Sequence, residues 1–288
     1  MRLLTGFGFR VWGGVVLGMV TATSVHAESA YQQALRTGSA RVAVYNQVPW
    51  GVTDEKGEFH GFAVDVLRTA LGRMGIRKFE AVSTEFSALI PALQAHRADA
   101  VTAGLFVTPE RCRLVAFGDP DIKMTDALLV KTGNPKNLHS YEDVAKNSAA
   151  TIATARGFST AADALAAGVP KDRQILFPDN QAAISALIAG RVDAVSATAA
   201  SIAALYDDLK TRGIERAVPF VAKRDTSSQP HFNYAAVAFR QEDADFRDAY
   251  NVQLKAMKTD GALLKILQKY GFSEAEMPDA MSSDVCGK

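Results

Sequence analysis

The sequence has few of the residues that mark metal-binding, disulfide-rich or nucleic-acid-binding proteins. It contains two cysteines, and its five histidines do not stand at the spacing of metal ligands, so we expect neither a metal site nor a cofactor. Its 32 basic and 31 acidic residues nearly balance, which excludes the positive surface that binds nucleic acid or an anionic membrane. After the N-terminal segment, no apolar run is long enough to span a bilayer. These absences leave a globular protein of ordinary apolar content.

The N-terminal segment, residues 1–27, has the pattern of a secretory signal peptide. Arg2 and Arg10 supply positive charge, an apolar run covers residues 11–20, and small residues before the end predict cleavage after Ala27. A membrane anchor is the alternative, but the run is short for a bilayer and no lipid-modifiable cysteine follows it. Without the leader the chain keeps 30 basic and 31 acidic residues, a net charge of −1. We therefore expect a periplasmic protein of about 260 residues.

The two cysteines are Cys112 and Cys286. In an exported protein an even pair is more often bridged than free, so we expect a disulfide, with two unrelated thiols as the alternative. Because such a bridge closes a very long loop, the chain-entropy model gives it up to about 5 kcal/mol.

Alternating segments in the first half of the chain predict a parallel sheet covered by helices. Strand-like runs occupy residues 41–45, 78–83 and 99–102. Runs with helical apolar spacing occupy residues 62–75 and 86–96. Strands and helices that alternate with short connections are typical of parallel strands joined by crossover helices.

The second half of the chain repeats this architecture without repeating the sequence. Strands are predicted at residues 151–154, 174–177 and 193–196. Helices are predicted at residues 159–167, 180–189 and 199–210. The chain therefore forms two α/β units of similar construction.

Two extended segments, residues 127–131 and 234–239, are expected to cross between these units. We divide the mature chain into a first lobe of residues 28–131, a second lobe of residues 132–233, and a return to the first lobe at residues 234–288. Ligands of open α/β sheets bind beyond the carboxyl ends of the strands, so the cleft between the lobes is the expected site. A ligand held by both lobes stabilises their closed arrangement.

Three aromatic residues and an arginine, each at or just after a strand end or loop, are the main candidates for this site: Trp50, Phe86, Phe106 and Arg111. Aromatic rings attract a diffuse cation, and a guanidinium holds a carboxylate through two parallel hydrogen bonds. Together they predict a pocket for a small zwitterion with a delocalised positive charge. The alternatives are that the phenylalanines belong to the core and that the arginine lies on the surface.

The second lobe is expected to add hydrogen bonds to the ligand. Ser159 and Thr160 open a predicted helix, where free backbone N–H groups favour an anion, so they are candidates for the carboxylate opposite Arg111. Capping of that helix is the alternative role for the same hydroxyls. Asn233 lies beside the second crossing and is a further candidate for the cleft.

Five groups of short motifs follow one another along the chain. They are Phe-His-Gly-Phe-Ala-Val-Asp at residues 59–65, Leu-Ile-Pro-Ala-Leu at 89–93 leading to Arg-Ala-Asp at 97–99, Thr-Pro-Glu-Arg at 108–111, Ala-Gly-Arg-Val-Asp-Ala at 189–194, and Met-Lys-Thr-Asp-Gly at 257–261 leading to Tyr-Gly-Phe at 270–272. In this order and spacing the chain resembles the family 3 extracellular solute-binding proteins, periplasmic receptors of ABC importers for polar amino acids and related solutes.

The resemblance implies a fold and a partner. The expected fold class is the two-lobe α/β periplasmic-binding-protein fold of type II, in which each lobe is a mostly parallel sheet flanked by helices and two strands form the hinge. The expected protein is a monomer that delivers its solute to the membrane subunits of an ABC permease.

Within this family, the chain most closely resembles the receptors for ectoine and hydroxyectoine. The aromatic trio falls where those proteins have an aromatic box, and a cysteine after Arg111 that pairs near the C-terminus also matches. Amino-acid receptors usually have an aspartate for the α-ammonium group where this chain has Thr198, which implies a ligand without a primary ammonium. Gln47 stands where ectoine receptors tend to have an acidic residue, a departure from their pattern. By family position, Gly104 is implied to offer a backbone group to the ligand.

Three other functions fit the same fold, and one of them, a sensor partner for a chemoreceptor or kinase, uses the same closed state. A receptor for a polar amino acid or an opine-like zwitterion differs only in its ligand. A periplasmic dehydratase-like enzyme needs an acid or base in the cleft, for which Glu85, Glu110 and Asp126 are the candidates, but none pairs with a nucleophile or histidine in the sequence pattern. We therefore expect a binding protein without catalytic residues, with ectoine and hydroxyectoine both open as ligands.

Overall fold

The computed structural model describes residues 28–221 and 232–287. The expected signal peptide, residues 1–27, lies outside the described residues, so the leader and its cleavage after Ala27 stay predictions. In the described ranges, every helix is too short or too polar to cross a membrane.

The helices and strands of the described chain have the following bounds. The strands are β1 (Ser39–Val44), β2 (Val52–Thr53), β3 (Phe59–His60), β4 (Lys78–Ser83), β5 (Ala100–Val101), β6 (Ala116–Phe117), β7 (Ile122–Met124), β8 (Asp126–Lys131), β9 (Ile152–Ala155), β10 (Gln174–Phe177), β11 (Ala194–Thr198), β12 (Ile214–Arg216), β13 (Asn233–Ala235) and β14 (Ala238–Phe239). The helices are α1 (Ala30–Thr37), α2 (Phe62–Arg73), α3 (Leu89–Gln94), α4 (Pro109–Cys112), α5 (Tyr141–Lys146), α6 (Thr160–Ala166), α7 (Asn180–Ile188), α8 (Ala199–Thr211), α9 (Ala244–Thr259), α10 (Ala262–Lys269) and α11 (Ser282–Cys286). Turns of 3₁₀ helix occupy Phe86–Ala88, Lys171–Arg173 and Glu274–Glu276.

The first lobe is built on a five-stranded sheet in the order β4-β1-β5-β14-β6. β1 pairs in parallel with β4 and β5, and β14 runs antiparallel to β5 and β6. Val42 and Val44 of β1 share an apolar core with α2 and α9, while Ala43 belongs to a second core with α3. Because side chains alternate between the faces of a strand, helices cover the sheet on both sides.

The second lobe is built on a sheet in the order β10-β9-β11-β8-β12. β9 pairs in parallel with β10 and β11, and β8 runs antiparallel to β11 and β12. The three parallel strands and their crossover helices α6 and α7 are those that the alternating pattern predicts. The antiparallel strands β8 and β12 complete the sheet on one side.

The position of β8 corrects the expected boundary after residue 131. The sequence pattern assigned residues 127–131 to the first lobe, but β8 lies within the second sheet, where Asp126 stands opposite Thr198. Its central residues are almost fully buried because the strand is covered on both faces. Such a continuous apolar run does not indicate which sheet takes the strand, so we place the lobe boundary before it, at the hinge.

Two short strands form that hinge. β7 pairs antiparallel with β13, with Met124 opposite Asn233 and Ile122 opposite Ala235. Phe106 forms an isolated bridge with Ala235, so a segment that reaches the cleft is attached directly to the hinge. Two extended crossings were expected, but the first lies earlier in the chain than residues 127–131.

The disulfide between Cys112 and Cys286 is confirmed, with the two Cα atoms 5.7 Å apart. It joins α4 to α11, and both cysteines pack against the core of the first lobe. The bridge therefore fixes the short helix that also carries Arg111.

Candidate ligand-binding site

A cavity with about 320 Å³ of empty space, a figure that includes open solvent, lies between the two lobes beside the ends of β1, β5 and β11. Nine of the ten residues expected at the ligand site line it: Gln47, Trp50, Phe86, Gly104, Phe106, Arg111, Ser159, Thr160 and Thr198. Ala103 and Phe158 also line it, and Asn233 does not. The parallel strands of each sheet end at one edge, which is why loops distant in sequence meet here.

Trp50 forms one wall of the cavity and depends on a glycine beside it. The indole is almost fully buried and meets the Phe62 ring edge-on, with centroids 6.1 Å apart. A Cβ at Gly104 would overlap the indole, and Gly104 has a φ of +63°, a conformation that residues with a side chain rarely adopt. Gly104 is therefore needed for the packing of Trp50, besides the backbone contact with ligand that its family position implies.

Aromatic rings from the two lobes meet beside the cavity. Phe86 of the first lobe and Phe158 of the second have ring centroids 4.3 Å apart. Tyr45 meets both rings edge-on, at 5.5 Å from Phe86 and 6.3 Å from Phe158. Phe106 is almost fully buried where its segment joins the hinge. The cavity thus has aromatic surface on several sides.

The Arg111 guanidinium connects the lobes through backbone carbonyls. Its Nη1 donates to the Phe106 carbonyl oxygen at 2.6 Å, and its Nη2 donates to the Gly157 carbonyl oxygen of the second lobe at 2.7 Å. Burial lowers the pKa of Arg111 to about 10, although Asp163 and Glu110 oppose the shift, so the group stays charged at neutral pH. Because the guanidinium stays charged, it can bind an anionic ligand group.

Ser201, at the start of α8, joins the two lobes on the other side of the cavity. Its hydroxyl oxygen accepts hydrogen bonds from Gln47 Nε2 at 2.7 Å and Trp50 Nε1 at 3.1 Å, both from the first lobe. The same hydroxyl bonds to Thr198 Oγ1 at 2.9 Å, and Thr198 caps α8 by accepting from the Ser201 backbone N–H. Two cavity-lining side chains of the first lobe are thus tied to the second lobe by one oxygen.

The amide of Gln47 has a donor side that is satisfied and an acceptor side that is not. Its Nε2 is engaged by Ser201, whereas its Oε1 is buried and has no hydrogen-bond partner among the described residues. Buried amide oxygens are almost always paired, so an unpaired Oε1 on a residue that lines the cavity favours a ligand with an N–H or O–H donor.

The remaining second-lobe candidates differ in what their side chains do. Ser159 lines the cavity and makes no capping hydrogen bond with its side chain, so simple capping does not explain it. Thr160 is buried, and its hydroxyl is hydrogen-bonded to Thr154. Asn233 donates from Nδ2 to Asp126 Oδ1 at 3.0 Å, at the hinge rather than in the cavity lining.

The three candidate acids of the enzyme alternative do not line the cavity. Glu85 and Glu110 are exposed. Asp126 is buried, accepts from the Tyr141 hydroxyl at 2.8 Å, and has its pKa raised to about 7, mainly by burial. Among the described residues, the cavity therefore has no acid or base of its own besides Arg111.

Two residues of this site were not among those predicted from the sequence. Ser201 stands three positions after Thr198, the spacing of a helix cap and the residue it bonds, and that pattern was the available signal. Phe158 precedes the two hydroxyl residues that were chosen, but nothing local distinguishes a cavity ring from a core ring.

The sequence matches the model of the bacterial extracellular solute-binding proteins, family 3, over residues 40–274. The chain belongs to this family. The two-lobe α/β fold class expected from the motifs is confirmed by this match and by solved structures of similar proteins.

Individual relatives cover most of the chain. A probable amino-acid ABC transporter periplasmic-binding protein, y4tE of Sinorhizobium fredii, is 35% identical over 254 residues, which cover 86% of this chain and 83% of that protein. The lysine/arginine/ornithine-binding periplasmic protein of Escherichia coli is 28% identical, covering 89% of this chain and 94% of that protein. A crystal structure of EhuB in complex with hydroxyectoine is similar with a TM-score of 0.82 and 35% identity, covering 91% of this chain and 99% of that one.

Proposed function

We propose that this protein is the periplasmic receptor of an ABC importer and binds ectoine, 5-hydroxyectoine or a similar small zwitterion. One observation carries the proposal: the cavity combines aromatic rings and a partly buried arginine, and none of the described residues that line it is acidic. A carboxylate suits Arg111, and a delocalised cation suits the ring faces.

The absence of an acidic residue from the described part of the lining favours this ligand class over ordinary α-amino acids. A buried primary ammonium has three donors and a concentrated charge, which need a carboxylate or several oxygens to offset the loss of water. Thr198, at the end of β11, offers one hydroxyl that already bonds Ser201. A ring cation spreads its charge and needs fewer donors satisfied, and the unpartnered Gln47 Oε1 can accept one of them.

Two relatives bear on different parts of the proposal, EhuB on the ligand and y4tE on the role in an ABC importer. EhuB is similar over nearly its whole length and was crystallised with hydroxyectoine. The name of y4tE places it in an amino-acid ABC transporter. We infer that the present protein is exported, acts as a monomer, and delivers its solute to the membrane subunits of a permease.

A second candidate ligand is an amino acid with a guanidinium group. A guanidinium is also a diffuse cation that rings attract, and the Escherichia coli relative is named for lysine, arginine and ornithine. The described lining residues give its α-ammonium group no carboxylate, which ranks this candidate second.

Isothermal titration calorimetry of residues 28–288, freed of carried-over solute, tests the proposal. The panel contains ectoine, hydroxyectoine, glycine betaine, L-arginine, L-lysine and L-glutamate, and NMR of the recovered ligand checks that it is unchanged. We expect an ectoine to bind with a micromolar or lower dissociation constant and the amino acids to bind far more weakly. An amino acid that binds tightest would refute the ectoine assignment.

Substitution of Phe106 by leucine tests the aromatic wall. The change keeps apolar bulk but removes the ring, so a cationic ligand should lose about 2 kcal/mol of binding free energy. Phe79→Leu, in β4 and outside the cavity, is the matched control and should leave affinity unchanged. Equal affinities for wild type and Phe106→Leu would mean that the ring does not hold the cation.

A further inference from the structure

A tight turn of the second lobe packs against the core of the first. This turn, residues 155–158, joins β9 to α6 and is closed by a hydrogen bond from the Phe158 N–H to the Ala155 carbonyl oxygen at 3.2 Å. The Phe158 side chain packs against the apolar core that contains Phe86 and Leu89, and the other described members of that core all belong to the first lobe. The 155–158 turn is therefore a contact between the lobes that the protein makes by itself.

A glycine in this turn lets the backbones of the two lobes approach closely. Gly157 has a φ of +82°, and a Cβ there would lie 3.0 Å from the Cα and 3.1 Å from the Cβ of Ser87 in the first lobe. Both distances are shorter than ordinary van der Waals contact, and the nearer atom is backbone, which cannot rotate away as a side chain can. A side chain at position 157 would therefore hold the lobes farther apart.

The same turn holds two first-lobe side chains of the cavity in place. The Gly157 carbonyl oxygen accepts from Arg111 Nη2 at 2.7 Å, and the Phe158 ring centroid lies 4.3 Å from that of Phe86. The Arg111 guanidinium also lies over the Phe86 ring, 5.7 Å from its centroid. One four-residue turn thus fixes both the arginine and an aromatic ring of the opposite lobe.

Tyr45 extends this contact with a third ring. It meets Phe158 of the second lobe edge-on at 6.3 Å and Phe86 of its own lobe at 5.5 Å. Aromatic pairs of this kind stabilise a contact beyond the apolar area that they bury. Because the pairs of Phe158 cross between the lobes, their stabilisation belongs to the closed arrangement alone.

We propose that Gly157 and Phe158 are positioning residues that determine how long the ligand stays bound. The inference rests on the proposed function of the cavity and extends it to the rate of release. A ligand enters while the lobes are apart, so the 155–158 turn does not contribute to capture. Once the lobes close, the turn holds Arg111 and Phe86 against the ligand and opposes reopening. Loss of the contact should therefore raise the dissociation rate and leave the association rate unchanged.

Direct contact between the Phe158 ring and the ligand is the other explanation for such an effect, because Phe158 also lines the cavity. Gly157 separates the two explanations. It is not among the lining residues, it has no side chain to touch the ligand, and a methyl group added there would meet Ser87. A change at Gly157 that shortens the lifetime of the complex acts through the contact between the lobes.

Stopped-flow fluorescence of residues 28–288 tests the proposal, with Trp50 as the reporter. The other tryptophan, Trp12, belongs to the expected leader, and the Trp50 indole lines the cavity. The observed rate as a function of ectoine concentration gives the association rate constant from its slope and the dissociation rate constant from its intercept. L-arginine is the second probe, so the test does not depend on the ectoine assignment.

The first variant is Gly157→Ala, which should raise the dissociation rate at least tenfold and keep the association rate within twofold of wild type. Gly133→Ala is the matched control. Gly133 also lies in the second lobe and has a φ of +81°, but a Cβ there meets nothing within 4 Å among the described residues. Because both variants carry similar backbone strain, their unliganded melting temperatures should fall alike, and only Gly157→Ala should speed release.

The second variant, Phe158→Leu, keeps the test decisive if Gly157→Ala fails to fold. It retains apolar bulk and removes the ring pairs, so the dissociation rate should rise about two- to tenfold with an unchanged association rate. Phe177→Leu makes the same change in β10 of the second lobe, outside the cavity lining, and should alter neither rate.

The outcomes distinguish this inference from the proposed function. An unchanged dissociation rate in either folded variant, or an association rate that falls as much as the dissociation rate rises, would overturn the role of the turn. If wild type binds L-arginine and not ectoine, the proposed ligand is wrong, and the rates with L-arginine decide the role of the turn. A wild type that binds neither probe would overturn both.

Discussion

Replacement of Ser201 by alanine should weaken ligand binding while leaving the unliganded fold nearly as stable as before. The Ser201 hydroxyl accepts from Gln47 and Trp50 of the first lobe and bonds to Thr198 of the second. The bonds from Gln47 and Trp50 cross between the lobes and need them closed, whereas the Thr198 bond lies within the second lobe. The cap of α8 survives the substitution because it uses the Ser201 backbone N–H, not the hydroxyl.

The magnitude follows from the burial of the donors that lose their acceptor. Trp50 is 3% exposed, so in the closed state its indole N–H would have no route to water. One buried donor left unsatisfied costs about 1–3 kcal/mol, and water satisfies the same group when the lobes are apart. The closed, ligand-bound state bears this cost alone, so affinity should fall roughly 5- to 150-fold.

Calorimetry with ectoine, thermal unfolding of the unliganded protein, and small-angle X-ray scattering with and without ligand test this prediction. Ser185→Ala, at an exposed position of α7 in the same lobe, is the matched control. Affinity within twofold of wild type, with full compaction on ligand addition, would refute the idea that Ser201 links the lobes. A large fall in the unliganded melting temperature would instead indicate a role in folding.

Three further predictions concern single side chains. Gly104→Ala should lower both affinity and melting temperature, because the new methyl overlaps the Trp50 indole and φ is +63°; calorimetry and thermal unfolding measure it. Arg111→Lys should cost about 1.5–3 kcal/mol of binding free energy, since an ammonium cannot reproduce the two-pronged guanidinium contact; a titration with ectoine measures it. Burial raises the pKa of Asp126 to about 7, so the folded chain keeps a proton that the unfolded chain releases near pH 4. Stability from this group is therefore lost as pH rises from about 4 to about 7, and Asp126→Asn should flatten that fall in melting temperature.

Sequence patterns predicted the parts of this molecule that depend on local order. The alternation of strand and helix defined the parallel core of both sheets, and parallel strands end at one edge. This rule predicts that Trp50, Gly104 and Arg111 lie close together, since each follows a strand end. The same rule does not say which sheet an apolar strand joins, and β8 was assigned to the wrong lobe for that reason.

The features of the site that the sequence did not predict depend on contacts between distant segments. Ser201 meets Gln47 and Trp50 across more than 150 residues of sequence, and only closure of the lobes makes the contact visible. Asn233 stands in the right hinge strand, but its side chain pairs with Asp126, whose burial no local pattern reveals. Phe158 matters through its contact with Phe86 of the other lobe, which sequence spacing does not contain.

The disulfide also forms late in the life of a newly made chain. Cys112 and Cys286 are 174 residues apart, and the whole second lobe lies between them. The bridge can form only after that lobe has been synthesised and has reached an oxidising compartment. Until then, no disulfide links the four-residue helix that carries Arg111 to the C-terminal helix α11. Chains made in a reducing cytoplasm should therefore have a complete fold but a loosely held arginine.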